Sequence, residues 1–292
     1  MVLVVFLYAL LASTFIFAKK VVGCANPCFI IGFRMILAGS MLLAMQMFRN
    51  SKRLNIPRKD WWLFLKVALF HIYIAFIFEF WALQYVSALK TTLIYSSTPF
   101  IAALLSYFLL HERLSTKKFI GIGIGLCGLV PVILAATQGP EAAMEFGRIS
   151  LPEIVLLCSV TSASYAWFII KDLMQRGHSL IVINGTAMLV GGVLSMITSI
   201  LFEGLQHPVN NWPYFLLWVF LLIFVSNIVF YNLYGWLLKR YSITFLTFSG
   251  FLCPGFGTIY EWLFMGGGIT WHYPASLLLV TLGLYVFYRG EI

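Results

Sequence analysis

The sequence predicts an all-α integral membrane protein with ten transmembrane helices, arranged as two inverted five-helix repeats. Three observations carry that prediction. Ten apolar runs, each near the roughly 20 residues a helix needs to cross the hydrocarbon core, fill almost the whole chain. The composition is 61% hydrophobic and 10% charged, with a mean hydropathy of +0.94, whereas soluble domains use about a quarter charged residues. The connections are mostly short, which leaves no room for an extramembrane domain. A transmembrane β-barrel would alternate polar and apolar residues in segments of about ten, and these runs are unbroken.

The spans fall at 1–18, 27–48, 61–86, 88–110 and 117–136, then at 150–170, 178–203, 212–238, 242–265 and 272–289. The first reads as a retained span in preference to a secretory leader: no basic segment precedes it, Lys19 and Lys20 follow it, and no small-residue cleavage site is evident. The second carries Arg34, seven residues in, and the third carries His71 and Glu79. The fourth has a stripe of Thr92, Tyr95, Ser96 and Pro99 at spacings of three and four, which is one helix face. In the fifth, Gly123, Gly125 and Gly128 match a dinucleotide fingerprint, but no strand precedes them. With Gly121 they read as small-residue contacts between helices. The sixth repeats the polar stripe with Cys158, Thr161, Ser162 and Tyr165, and such stripes are expected to turn inward. The seventh holds a formal glycosylation sequon at Asn184, on the expected inner side. The eighth offers Asn227 and Tyr231, and the ninth sets Pro254, Thr258 and Glu261 on one face. The tenth completes the second five.

The net charge of +9 does not point to nucleic acid, because the basic residues punctuate helix ends and gather on no single face. With the N-terminus inside, thirteen Lys and Arg, among them Arg49, Arg58, Arg113, Lys171, Arg176 and Arg240, lie on the cytoplasmic side. Lys19, Lys20, Lys90 and Arg148 lie outside. Both termini are therefore expected in the cytoplasm, with the chain in the cytoplasmic (inner) membrane, although Lys19 and Lys20 flank the first span on the opposing side. Cys24 and Cys28 share the first outer loop and read as unpaired thiols. No Walker loop, H-E-x-x-H or G-x-S-x-G occurs, and the five histidines are dispersed. No catalytic residue, metal or cofactor is expected.

The chain contains an internal repeat. Residues 82–115 and 237–270 each run from a tyrosine at a tight turn, through Ser/Thr-rich helix, to a proline, an aromatic run and a short polar turn. Pro99 aligns with Pro254, Tyr85 falls near Tyr241, and Ser115 falls on Thr270. The first span (12–20) similarly resembles the sixth (162–172), each ending in lysine at the membrane edge. Residues 1–136 and 150–292 thus read as two copies. Five is odd, so consecutive copies enter the membrane from opposite sides, the usual construction of secondary carriers with a ligand near the midplane.

The fourth span with its turn, TTLIYSSTPFIAALLSYFLLHERLS, and the glycine-rich fifth, FIGIGIGLCGLVPVILA, resemble the ten-helix EamA-type exporters of the drug/metabolite transporter superfamily. Pro99 followed by Glu112, Arg113 and Leu114 is the most recognisable feature; the second copy departs from it at Gly266-Gly267-Gly268. The resemblance implies a central cavity lined by helices 1, 3, 4, 6, 8 and 9, with helices 5 and 10 behind. It also implies amino acids or related metabolites as cargo and, less often, xenobiotics.

Charged groups inside spans cost about 2.5–3.5 kcal/mol on insertion scales and usually face a cavity or a partner. Arg34 reads either as an anchor for an anionic group or as a structural ion pair, with snorkelling outward as a further option. Glu79 reads as an amine ligand or a proton carrier when buried. Glu261 reads as cavity lining or as an interfacial residue. The expected substrate-binding set is Glu79, Tyr95, Ser96, Tyr165, Trp167, Asn227, Thr258 and Glu261, with Glu79 and Arg34 in proton coupling or an ion pair. Pro99 and Pro254 are the expected hinges, each breaking backbone hydrogen bonds within its helix. Two acids against one base suggest a zwitterionic or cationic small molecule. The expected function is secondary-active transport by alternating access, not enzymatic, of an amino acid or derivative; S-adenosylmethionine exchanged for S-adenosylhomocysteine suits that range. A multidrug exporter of the same fold, a membrane-embedded enzyme and a channel are the alternatives. The partners expected are the lipid bilayer, the small-molecule substrate and, as an assembly the sequence allows, a second copy in a homodimer.

Overall fold

The computed structural model describes residues 2–111, 115–136, 150–204, 209–265 and 272–289. Among these residues the secondary structure is helical, apart from one isolated bridge between Ala25 and Val209. The segments are α1 Val2–Val22, α2 Pro27–Asn50, α5 Thr116–Ala136, α6 Leu151–Gln175 and α10 His272–Arg289. Helix α3 comprises Trp61–Val67, a π-helical stretch Ala68–Ile74, and Ala75–Ala82. Helix α4 comprises Ala88–Tyr95 and Thr98–Leu110, and α7 runs Leu180–Thr198 into a π turn at Ser199–Glu203. Helix α8 comprises Trp212–Leu222, a π stretch Ile223–Phe230, and Tyr231–Leu237. Helix α9 comprises Ile243–Phe248, a 3₁₀ turn Ser249–Phe251, and Leu252–Met265.

Each segment overlies one of the expected spans. Eight helices are long and apolar enough to cross a membrane among the described residues. Large apolar side chains point outward along them, such as Phe48 and Phe202, a distribution suited to lipid and not to water. The protein is an all-α, multi-pass membrane protein.

The irregularities recur at a fixed interval. Ser87 accepts a hydrogen bond from the Lys90 amide at the start of α4, and Ser242, 155 positions later, accepts one from the Phe245 amide at the start of α9. Such caps satisfy amides that no preceding turn can reach. Both helices then break, after Tyr95 in α4 and over Ser249–Phe251 in α9. Pro99 and Pro254 stand in the first turn of the segment beyond each break. For Pro99, second in its segment, the missing N–H has no acceptor within that segment to lose, so this ring breaks no bond of a helix interior, contrary to the expectation that it does. The π stretch of α8 likewise begins 155 positions after that of α3.

Two compact units divide the chain, and each draws helices from both sequence halves. One contains α1 up to Phe15, α4, α5, α9 and α10; the other contains the end of α1, α2, α3, nearly all of α6, α7 and α8. In the first unit α5 packs on α10. A Cβ on Gly283 would lie 2.8 Å from the Gly121 carbonyl oxygen and from the Gly125 nitrogen. Gly121 and Gly125 therefore serve helix–helix contact, whereas Gly123 meets open space. Within the same unit Lys90 forms an ion pair with Glu153 at 2.6 Å, joining the starts of α4 and α6. In the second unit α2 packs on α7 as intimately: a Cβ on Gly39 would come within 2.6 Å of the Leu189 nitrogen.

Candidate functional site

The second unit has a polar interior centred on α2. Arg34 is 1% exposed, so it does not snorkel to the interface. Its Nε donates to Asn227 Oδ1 at 2.7 Å and its Nη2 donates to Ser226 Oγ at 2.9 Å, both on α8. The Asn227 amide in turn faces the sulfurs of Met35 and Met188. Phe76 and Phe80 of α3 stack against the guanidinium at 5.0 and 5.8 Å. Buried Glu79, on the same stretch of α3, and Tyr231 lie within electrostatic range of Arg34. The charge therefore sits on oriented neutral acceptors, ring faces and one carboxylate, away from lipid.

Beside Arg34 stands a box of aromatic rings. Trp167 of α6 stacks on Tyr234 at 4.0 Å and on Tyr231 at 5.8 Å. His71 of α3 meets Trp167 edge-on at 4.7 Å and Tyr231 at 4.9 Å. Among the described residues neither ring nitrogen of His71 nor the Tyr234 hydroxyl has a hydrogen-bond partner. Leaving a buried polar group unpaired costs about 1–3 kcal/mol, so the box holds unused bonding capacity in the buried interior of the unit.

The backbone explains how these groups converge. His71 lies in the π stretch of α3, and Ser226 and Asn227 lie in that of α8. A π turn is rare, inserts a residue relative to the α register and concentrates at functional sites. The carbonyls it displaces need other donors. Ser162 Oγ donates to Phe70 O at 2.6 Å and Ser159 Oγ to Ala75 O at 2.7 Å, so α6 supplies two at the π stretch of α3.

Of the expected site residues, Arg34, Glu79, Trp167 and Asn227 thus meet in one unit. Tyr165 packs edge-on against Phe70 in the same unit. Tyr95, Ser96 and Thr258 belong to the other unit, where Tyr95 contacts Phe15 at 4.9 Å. The hydroxyls of Ser96 and Thr258 bond back to Thr92 O and Pro254 O one turn earlier. The side chain of Glu261 and the turn at Glu112, Arg113 and Leu114 lie outside the described residues, as does Gly266–Gly268. Of the inward stripe expected on α6, Ser162 is buried and Tyr165 half-buried, whereas Cys158 and Thr161 are exposed; Ser159 and Ser164 are buried instead. The true face is offset by part of a turn, a difference that α6 alone did not reveal because serines and threonines occur all around it.

Other residues emerge only from the fold. Glu203, ending α7, accepts from the Cys28 and Phe29 amides and so caps α2 at its positive end. Asp60 is buried and accepts from Arg176 at 3.0 Å and pairs with His178 at 2.8 Å, fastening the start of α3 to the α6–α7 turn. Asp172, one turn back, holds the Arg176 guanidinium above its ordinary pKa, and Asp60 adds to the effect. Burial pushes the thiol of Cys24 up, and both Cys24 and Cys28 are free thiols. Asn184 is 1% exposed within α7, which closes its sequon to modification.

Comparison with known proteins places this geometry in a family. The model of the EamA-like transporter family matches twice, over residues 1–134 and 150–289. A relative from Chlamydia muridarum (strain MoPn / Nigg), named S-adenosylmethionine/S-adenosylhomocysteine transporter, is 31% identical over 99% of this chain and 92% of its own length. A relative of the same name from Chlamydia trachomatis serovar L2 is 32% identical over 99% of this chain and 89% of its own. A probable amino-acid metabolite efflux pump of Salmonella typhimurium is 26% identical over 72% of this chain and 71% of its own. One crystal structure shares the fold with a TM-score of 0.74 at 22% identity, covering 97% of this chain and 94% of that one. The chain is a transporter and not an enzyme, and it belongs to the EamA-like transporter family.

Proposed function

We propose that this protein exchanges S-adenosylmethionine for S-adenosylhomocysteine across the cytoplasmic membrane, and that the cluster around Arg34 binds the ligand. The observation that carries the reading is the meeting, in one dry interior, of a guanidinium, a carboxylate and an aromatic box with unused donors and acceptors. Each part of the ligand has a counterpart. The carboxylate of the amino-acid moiety suits the remaining N–H groups of Arg34, and its ammonium suits Glu79. The methyl-sulfonium cation suits the faces of Trp167, Tyr231 and Tyr234, since ring quadrupoles attract desolvated cations. The adenine edge suits His71. The names of relatives alike over nearly the whole chain support this choice of cargo over a general xenobiotic.

Alternating access rests on two inverted copies, residues 1–136 and 150–292, with both termini in the cytoplasm. The recurrence of cap, break, proline and π stretch at one interval supports the duplication. Beyond each break, Pro99 and Pro254 serve as hinges. Two of the outward cations that oppose this orientation are held locally, Lys90 by Glu153 and Lys19 by the Leu83 carbonyl, which weakens their bearing on topology.

The test is counterflow in proteoliposomes. Labelled S-adenosylmethionine should enter faster when S-adenosylhomocysteine is inside, with saturation and without response to a pH gradient. His71→Phe should raise KM about tenfold while stabilising the empty protein by ~1 kcal/mol, because it removes two orphaned nitrogens. Uptake driven by the pH gradient and indifferent to internal S-adenosylhomocysteine would reject exchange and make buried Glu79 the proton carrier.

A further inference from the structure

A groove of about 750 Å³ lies where the α2–α3 connection meets α7, bordered by Ile56, Arg58, Trp61, Trp62, Leu65 and Val190. Three features distinguish it. First, Arg58 borders the groove within a strongly basic stretch of chain: Lys52, Arg53, Arg58, Lys59 and Lys66 fall within fifteen residues, and none of them is in an ion pair among the described residues. The one acid of that stretch, Asp60, faces inward and is occupied by Arg176 and His178. Second, Trp61 and Trp62, the first two residues of α3, are 59% and 60% exposed. The Trp61 indole donates to Ile56 O and braces the connection, while Lys66 lies over the Trp62 ring. Paired tryptophans at a helix start mark the depth of lipid headgroups. Third, Val190 on the α7 wall begins an exposed apolar line with Val193 and Ile197, spaced three and four residues apart on one helix face.

We propose that this groove binds an anionic glycerophospholipid of the surrounding bilayer. The phosphate and its headgroup lie among Arg58 and Lys59, the glycerol beside the tryptophans, and one acyl chain along Val190, Val193 and Ile197. Basic clusters beside a transmembrane helix and basic pockets between such helices attract anionic lipid. Here charge, amphipathic rings and an apolar track occur in the order in which a phospholipid presents its parts. Every residue named lies in one compact unit, in described segments, and none belongs to the Arg34 cluster. The site is therefore independent of the cargo proposed above.

Native mass spectrometry of the full-length protein, released from micelles doped equally with dioleoyl-phosphatidylglycerol and dioleoyl-phosphatidylcholine, tests this. The phosphatidylglycerol adduct should dominate. The Arg58→Gln/Lys59→Gln pair should lower the ratio of adducts about fivefold per cation removed. Thr186 lines the groove from α7, and Thr186→Trp, which fills it without changing charge, should lower the ratio as well, while thermal unfolding confirms that both variants are folded. Lys239→Gln/Arg240→Gln, which removes two cations elsewhere, should leave it unchanged. Equal binding of the two lipids, an equal loss with the distant pair, or retention in Thr186→Trp would each overturn the proposal. So would Trp62→Cys cross-linking to a second copy at full yield in phosphatidylglycerol, since a protein would then cover the groove.

Discussion

Arg34 shows how a charge is accommodated at the scale of one residue. Its two bonds to α8 come from neutral groups, so their loss strands a cation that lipid cannot solvate. Asn227→Leu should lower stability by ~2 kcal/mol, as expected for a hydrogen bond to a charged group, and pairing it with Arg34→Met should recover part of that loss in thermal unfolding. Strictly additive losses would mean that the two side chains are not coupled. A second prediction concerns Cys24, which lies between α1 and α2. Its thiol is raised by burial, so its thiolate fraction is small at neutral pH. Alkylation should be slow at pH 7 and keep climbing beyond about pH 8.5, the range where an ordinary thiol ionises. A rate that levels off earlier would contradict this environment.

At the scale of helices, α5 and α10 approach backbone to backbone in the first unit. Gly283→Ala should cost about 1–3 kcal/mol, the usual penalty of forcing an added methyl into a packed contact, because the Cβ would meet α5 backbone at both Gly121 and Gly125. Gly123→Ala faces open space and should be neutral or stabilise by up to ~1 kcal/mol through helix propensity. Unfolding of the two variants in one detergent separates the roles of glycines that a motif search treats alike. The helices themselves were legible in sequence, since runs of apolar residues and polar punctuation report where a chain can enter lipid. Side-chain direction was less so. The π stretches in α3 and α8 shift the register, and no periodicity in the sequence marks them. Arg34, Glu79, Trp167 and Asn227 were identifiable because polar or bulky groups in a span are conspicuous. Ser226 was not, because one serine in an apolar helix looks like every other.

At the scale of the molecule, sequence halves and compact units do not coincide. Each unit takes α-helices from before and after residues 137–149, and Lys90 and Glu153 clasp across that divide in the chain. A polypeptide severed between residues 136 and 150 would therefore yield two pieces that each lack neighbours in both units. Produced singly, each piece should be degraded; produced together, they should reassemble and restore transport, because the peptide link contributes only proximity. A stable, monomeric lone fragment would show that one half can bury its own helices. The interleaving leaves each half of the chain dependent on the other for the neighbours that bury its helices.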